Sequence, residues 1–169
     1  MKAMLGSWTL AAPIAVGAAR VGLGVLWLHE GIFKYSAHFG RADILLVADG
    51  AKSNSRVPEY FSWFAEHVLR AWPSVIGILT PLLETLLGVV LVLGVVSLPA
   101  AMGSLLTLMT YWSSDQLIAQ YPVMGALSVV VIAWPVLATR FSTTALVERA
   151  LQARSRGGRF ESAWWRRWL

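Results

Sequence analysis

Five ionisable residues stand within or beside long apolar runs: Arg20, Glu30, Lys34, Glu84 and Asp115. Residues 28–35, LHEGIFKY, bring His29, Glu30 and Lys34 to the end of one such run. In hydrocarbon, acids and bases of this kind can hold or pass protons, or polarise a carbonyl. A charged Asp, Lys or Arg at mid-membrane costs about 2.5–3.5 kcal/mol. Such groups therefore face protein, find partners and are functional candidates.

Helical geometry groups them. On a helix of 3.6 residues per turn, Trp27, Glu30 and Lys34 share a face with Arg20. Gly17, Gly24 and Gly31 flank that stripe and admit a close neighbouring helix. Glu30 and Lys34 also form an i,i+4 pair with the acid first, the better orientation. His29 points away. Glu84 lies near the middle of the second apolar run, one turn beyond Thr80 and Pro81. In antiparallel helices it stands about one turn from the level of Arg20, so a buried Arg20–Glu84 pair is expected. Glu30, Lys34 and Asp115 form a second cluster with Tyr111 and Gln116. Trp27, Gly31, Tyr111 and Trp112 are the candidate binding residues, since aromatic walls around a polar slot suit a flat headgroup such as a quinone. Two plainer readings stand beside this one: buried ion pairs can fix helix register, and Glu30–Lys34 can anchor at an interface by snorkelling.

The elements that position these groups follow from composition. Of 169 residues, 57% are hydrophobic and 14% charged, against about 25% charged in a soluble domain. Mean hydropathy is +0.62. The pattern predicts an all-α membrane protein, a bundle of four transmembrane helices over residues 1–140, with spans near 11–35, 74–96, 99–118 and 122–140. A signal peptide fits the first span poorly, because Pro13 interrupts its start and the apolar run continues to Leu28.

Seven of the 14 basic residues follow position 139. With Lys2 they place both termini in the cytoplasm and the 36–73 loop outside. Within that loop, residues 39–56 read as a polar stretch, and 58–72 as a short amphipathic helix. Its stripe of Tyr60, Phe61, Phe64, Val68 and Trp72 either lies on the outer membrane surface or caps the bundle. Residues 141–169 read as a cytoplasmic amphipathic tail divided at Gly157–Gly158. Leu146, Val147, Ala150 and Leu151 share a face in its first part. Phe160, Trp164 and Trp168 alternate with arginines in the second, which suits an anionic inner leaflet better than a partner protein or nucleic acid.

Some chemistry is excluded. With no cysteine the chain itself has no disulfide, thiolate metal site, Fe–S ligand or persulfide. His29, His38 and His67 lack the facing partner a haem requires. No metal site and no glycine-rich nucleotide fingerprint is evident.

An arginine in the first span, LGVLWLHEGIFKY with its Gly-x-x-Lys, and PLLETLLGVVLVLG in the second span together resemble the DoxX/DoxD family of small bacterial membrane proteins. The resemblance covers about residues 14–140 and points by position to Arg20, Gly31, Lys34 and Glu84. The long outer loop and the Arg/Trp tail depart from a minimal member. Some relatives are subunits of thiosulfate:quinone oxidoreductases, and others are associated with thiol or oxidative-stress enzymes. The resemblance implies a quinone-associated subunit of the bacterial cytoplasmic membrane. Arg20 and Glu84 would polarise or protonate the quinone, while Glu30, Lys34 and Asp115 would relay protons or meet the electron donor. Sulfur chemistry would need a second subunit. The alternative is a non-catalytic scaffold that docks partner subunits or further copies of itself. A small transporter or proton path ranks third, as no inverted repeat is visible.

Overall fold

The computed structural model describes residues 2–154, and these form helices and connections with no strand. Helix α1 spans Lys2–Ser36, α2 Arg41–Ser53, α3 Glu59–Phe64, α4 Pro73–Leu93, α5 Ser97–Ser113, α6 Tyr121–Ala133, α7 Pro135–Ala138 and α8 Thr143–Arg154. One π turn, Ala65–Leu69, continues α3. Two stretches, Leu10–Ser36 and Pro73–Leu93, are long and apolar enough to cross a membrane. The expected stripe at Phe160, Trp164 and Trp168 lies outside the described residues.

Local chemistry sets the helix ends. α4 begins with Pro73, whose fixed φ suits a first helical position and whose missing N–H needs no partner there. It ends at Gly94, which takes a left-handed φ of 72° and donates its N–H to Val90. Two expected spans are corrected. The third expected span, α5, stops at Ser113, not 118, because the serines Ser113 and Ser114 turn their hydroxyls onto Met109 and Tyr111 carbonyls and Asp115 leaves the helix at φ 60°. The fourth run, 122–140, is broken at Trp134, where Pro135 cannot continue the helix and restarts it as α7.

The 39–56 stretch, read from the sequence only as polar, contains α2. The Asp43 carboxylate accepts the Gly40 N–H at 2.8 Å, which closes its first turn, and Ile44, Ala48 and Ala51 bury one face. α3 and the π turn oppose it with Phe61, Ala65 and Leu69. Tyr60 and Trp72, expected in the same stripe, are 66% and 63% exposed. The pair α2–α3 is therefore a cap with its own small core. It rests on α4, whose Gly77 approaches Gly40 so closely that a Cβ would lie 2.8 Å from the Gly40 Cα.

α1 and α4 run antiparallel along a glycine seam. A Cβ on Gly24 would lie 2.8 Å from the Val92 N, and one on Gly88 2.8 Å from the Leu28 N. Gly31 sits equally close to Thr85 and Pro81, whereas Gly17 faces open space. This seam sets the register. Glu84 is level with the last turn of α1, at the capped end, and Arg20 is level with Gly94, at the opposite end. At 1.5 Å per residue, the run of α4 from Glu84 to Gly94 separates them by roughly 15 Å along the axis. The expected Arg20–Glu84 pair is therefore not made.

Candidate functional site

The last turns of α1 carry Glu30 and Lys34 to the capped end, where α4 supplies Glu84, α5 supplies Tyr111, and the start of α6 supplies Gln120 and Tyr121. Lys34 Nζ lies 2.6 Å from Glu84 Oε1 and 3.4 Å from Glu30 Oε2. The Tyr111 hydroxyl donates to the same Glu84 Oε1 at 2.6 Å. Glu30 in turn accepts from the Gln120 carboxamide, and from the Tyr121 hydroxyl at 3.4 Å. Glu84 is fully buried and Glu30 nearly so. One ammonium thus serves two buried carboxylates.

Glu84 also retains an unmatched atom. Its Oε2 is buried and has no hydrogen-bond partner. A buried polar atom of this kind is rare enough to require an explanation, and here it adjoins the one cation of the cluster.

Aromatic rings pack around these groups. Tyr111 stacks on Tyr121 with centroids 5.5 Å apart, and Trp27 is tilted against Tyr111 at 6.5 Å. Lys34 Nζ lies 5.3 Å from the Tyr111 ring centroid and 5.7 Å from that of Phe39, within cation–π range. Trp27 is fully buried, and its indole N–H donates to Ser104 Oγ at 2.7 Å, which bonds Ser128 Oγ at 2.8 Å. That chain satisfies the indole N–H within the core.

A cavity of about 270 Å³ adjoins the cluster, beneath the α2–α3 cap. Phe39, Phe61 and Phe64 line it with aliphatic side chains, and Lys34 and Tyr111 form its polar end. Its wall includes Leu83 of α4 and Leu106 of α5, which are 44% and 66% exposed. The cavity is thus a cleft that opens sideways between these two helices.

The remaining predicted residues fall elsewhere. Arg20 is buried at the far end of the bundle. Its Nε donates to the Ala138 carbonyl at 2.9 Å, and its Nη1 donates to the Leu91 and Val92 carbonyls. These carbonyls end α4 and α7, so the cation meets the negative ends of two helices. Among the described residues no carboxylate pairs with it. Asp115 joins the cap to the α5–α6 connection, accepting from Asn54 at 2.8 Å and pairing with Arg56 at 3.2 Å. It is not part of the Glu30–Lys34 cluster. Trp112 is 49% exposed and does not line the cleft. Gly31 serves the α1–α4 seam. His29 is exposed at the periphery.

Sequence reasoning missed Gln120, Tyr121 and Phe39. Gln120 and Tyr121 precede Pro122 at a helix start, and that position alone marked them as facing the capped end. Phe39 had no periodic signal, because it lies in the α1–α2 connection. No family model, curated protein or solved structure matches the chain.

Proposed function

We propose that this chain is a multi-pass protein of the bacterial cytoplasmic membrane that binds a lipid quinone headgroup in the α4–α5 cleft, as a membrane subunit of a quinone-linked redox system. The observation that carries the reading is the cleft itself: an aromatic, apolar chamber that ends on Lys34 and Tyr111 and opens sideways. A volume of about 270 Å³ accommodates a substituted ring and the root of its tail. The sideways mouth suits a molecule that arrives through hydrocarbon rather than through water.

Several features support the membrane setting. Ile32, Ile78, Leu82, Leu86 and Leu106 are more than half exposed, a surface that water does not favour. In this reading α5 and α6–α7, packed beside α1 and α4, make a third and a fourth, shorter crossing. The Arg20 end of the bundle carries Arg140 and Arg149, the cytoplasmic signature. There Thr143 and Thr144 bond the Leu93 and Gly94 carbonyls at 2.9 and 3.0 Å and tie down α8. Its exposed Leu146 and Val147 suit an anionic inner leaflet. The resemblance to DoxX/DoxD supports the reading in the same sense, for Lys34 and Glu84 carry that resemblance and meet in the cluster.

In this reading Lys34 donates an N–H to a headgroup oxygen. Glu84, Glu30 and Tyr111 hold the ammonium in place, and Phe39, Phe61 and Phe64 flank the ring. When bound, the quinone supplies the capacity to accept electrons and protons. Arg20, Asp115 and Trp112 take no part.

The test is a quinone titration of the protein in lipid nanodiscs, followed by tryptophan fluorescence. Saturable binding is expected, and Thr107→Trp, which fills the cleft, should abolish it without lowering the melting temperature. Undiminished binding in Thr107→Trp would remove the cleft from the account. A scaffold reading has one observation in its favour: α1, α4, α5 and α6 each contribute a polar side chain to the cluster, an arrangement that can fix register without chemistry. It predicts no saturable quinone binding and a partner subunit that co-purifies.

A further inference from the structure

The cleft differs in what its polar groups can give and what they can take. Thr80 donates its hydroxyl to the Ile76 carbonyl at 2.8 Å, Thr107 to Gly103 at 2.8 Å, Thr110 to Leu106 at 2.9 Å and Ser114 to Tyr111 at 2.8 Å. A carbonyl has no proton to give, so in each of these bonds the hydroxyl is the donor. All four side chains line the cleft. Their oxygens can therefore offer a ligand only lone pairs.

The polar end repeats the pattern. Tyr111 commits its O–H to Glu84 at 2.6 Å, and its oxygen can then only accept. Lys34 directs two of its three N–H groups to Glu84 and Glu30 and keeps one. Lys34 Nζ and the Tyr111 oxygen each lie 2.6 Å from the same Glu84 oxygen, so they stand side by side as one donor and one acceptor. Gln116 adds a carboxamide at the rim.

Resting on the quinone reading above, we infer that the cleft selects the reduced, hydroxyl-bearing form of the headgroup, a hydroquinone or a similar phenol, over the carbonyl form. A phenolic hydroxyl accepts from Lys34 and donates to Tyr111 at once. A quinone carbonyl at that end can accept from Lys34, or from the Gln116 carboxamide at the rim, but its lone pairs then face those of Tyr111 and the threonines. The hydroquinone gains about one hydrogen bond, worth roughly 0.5–1.5 kcal/mol net, which corresponds to up to about tenfold in affinity.

The experiment compares a decyl-substituted benzoquinone with its hydroquinone, each titrated anaerobically into the protein in nanodiscs. The hydroquinone is expected to bind more tightly, by up to about tenfold, so the midpoint potential of the bound couple rises by up to about 30 mV. Tyr111→Phe should reduce the preference to about twofold. Ser114→Ala, which leaves the ion pairs intact, should reduce it by a smaller factor and serves if Tyr111→Phe does not fold. Equal binding, or tighter binding of the quinone, overturns the inference and leaves the quinone reading standing. Binding of neither form overturns both.

Discussion

Lys34→Met is expected to destabilise the protein by about 3–5 kcal/mol and to abolish quinone binding. Lys34 stands between Glu84 and Glu30, at 2.6 and 3.4 Å, and its side chain is 12% exposed. Without it two carboxylates share a buried site with no cation, and breaking one side of such a pair is far more costly than replacing the whole of it. Glu84→Gln in the Lys34→Met background removes one of the stranded charges. It should recover a substantial part of the stability but none of the binding. Unfolding in detergent, followed by circular dichroism, reads the first effect, and the quinone titration reads the second. A Lys34→Met protein as stable as wild type would show that the ion pairs do not hold the four helices together.

Arg20→Met should separate the two properties. Three backbone carbonyls, of Ala138, Leu91 and Val92, lose their shared donor. Hydrogen bonds to a charged group contribute about 1.5–3 kcal/mol each, so with three of them a loss of at least about 4 kcal/mol is expected. Arg20→Lys should recover little of it, because one ammonium cannot reproduce the guanidinium fork that spans α4 and α7. Quinone affinity should be unchanged, since the site lies roughly 15–20 Å away along the axis. Loss of quinone affinity with unaltered stability would restore Arg20 to the binding site.

These two arginine and lysine predictions differ because of a register that the sequence left open. That Arg20, Glu30, Lys34 and Glu84 face protein was legible from their cost in hydrocarbon, and all of them except the partly covered Lys34 are buried. Which of them meet depends on how far α1 slides along α4. The slide is set by Gly24 against Val92 and by Gly88 against Leu28, long-range contacts that no periodicity encodes. Counting depth from the edges of the apolar runs placed Arg20 one turn from Glu84. The edges misled because α1 begins at Lys2 and because α4 extends past α1 to meet the cap at Gly77.

The cap was legible only in part. Residues 58–72 showed a helical stripe, whereas Ile44 and Ala48 of α2 sat within the continuous apolar run 44–48, which sets no period, and Ala51 stood alone beyond it. Since one wall of the cleft is made by this cap, the aromatic chamber could not be seen from the spans alone. Tyr111 was identified from its place on the third run. Asp115, four residues later, leaves the helix at φ 60° and turns to Asn54 and Arg56 instead. The cluster and the cleft are products of tertiary packing, and the sequence supplied their residue types without their grouping.

The most direct measurement of the central claim is the amount of quinone retained by the protein purified in mild detergent, determined per chain by mass spectrometry for wild type and Thr107→Trp. The account predicts close to one quinone, oxidised or reduced, per wild-type chain and almost none in the variant. A well-folded wild-type protein that carries no quinone, or a variant that carries as much as wild type, would contradict it.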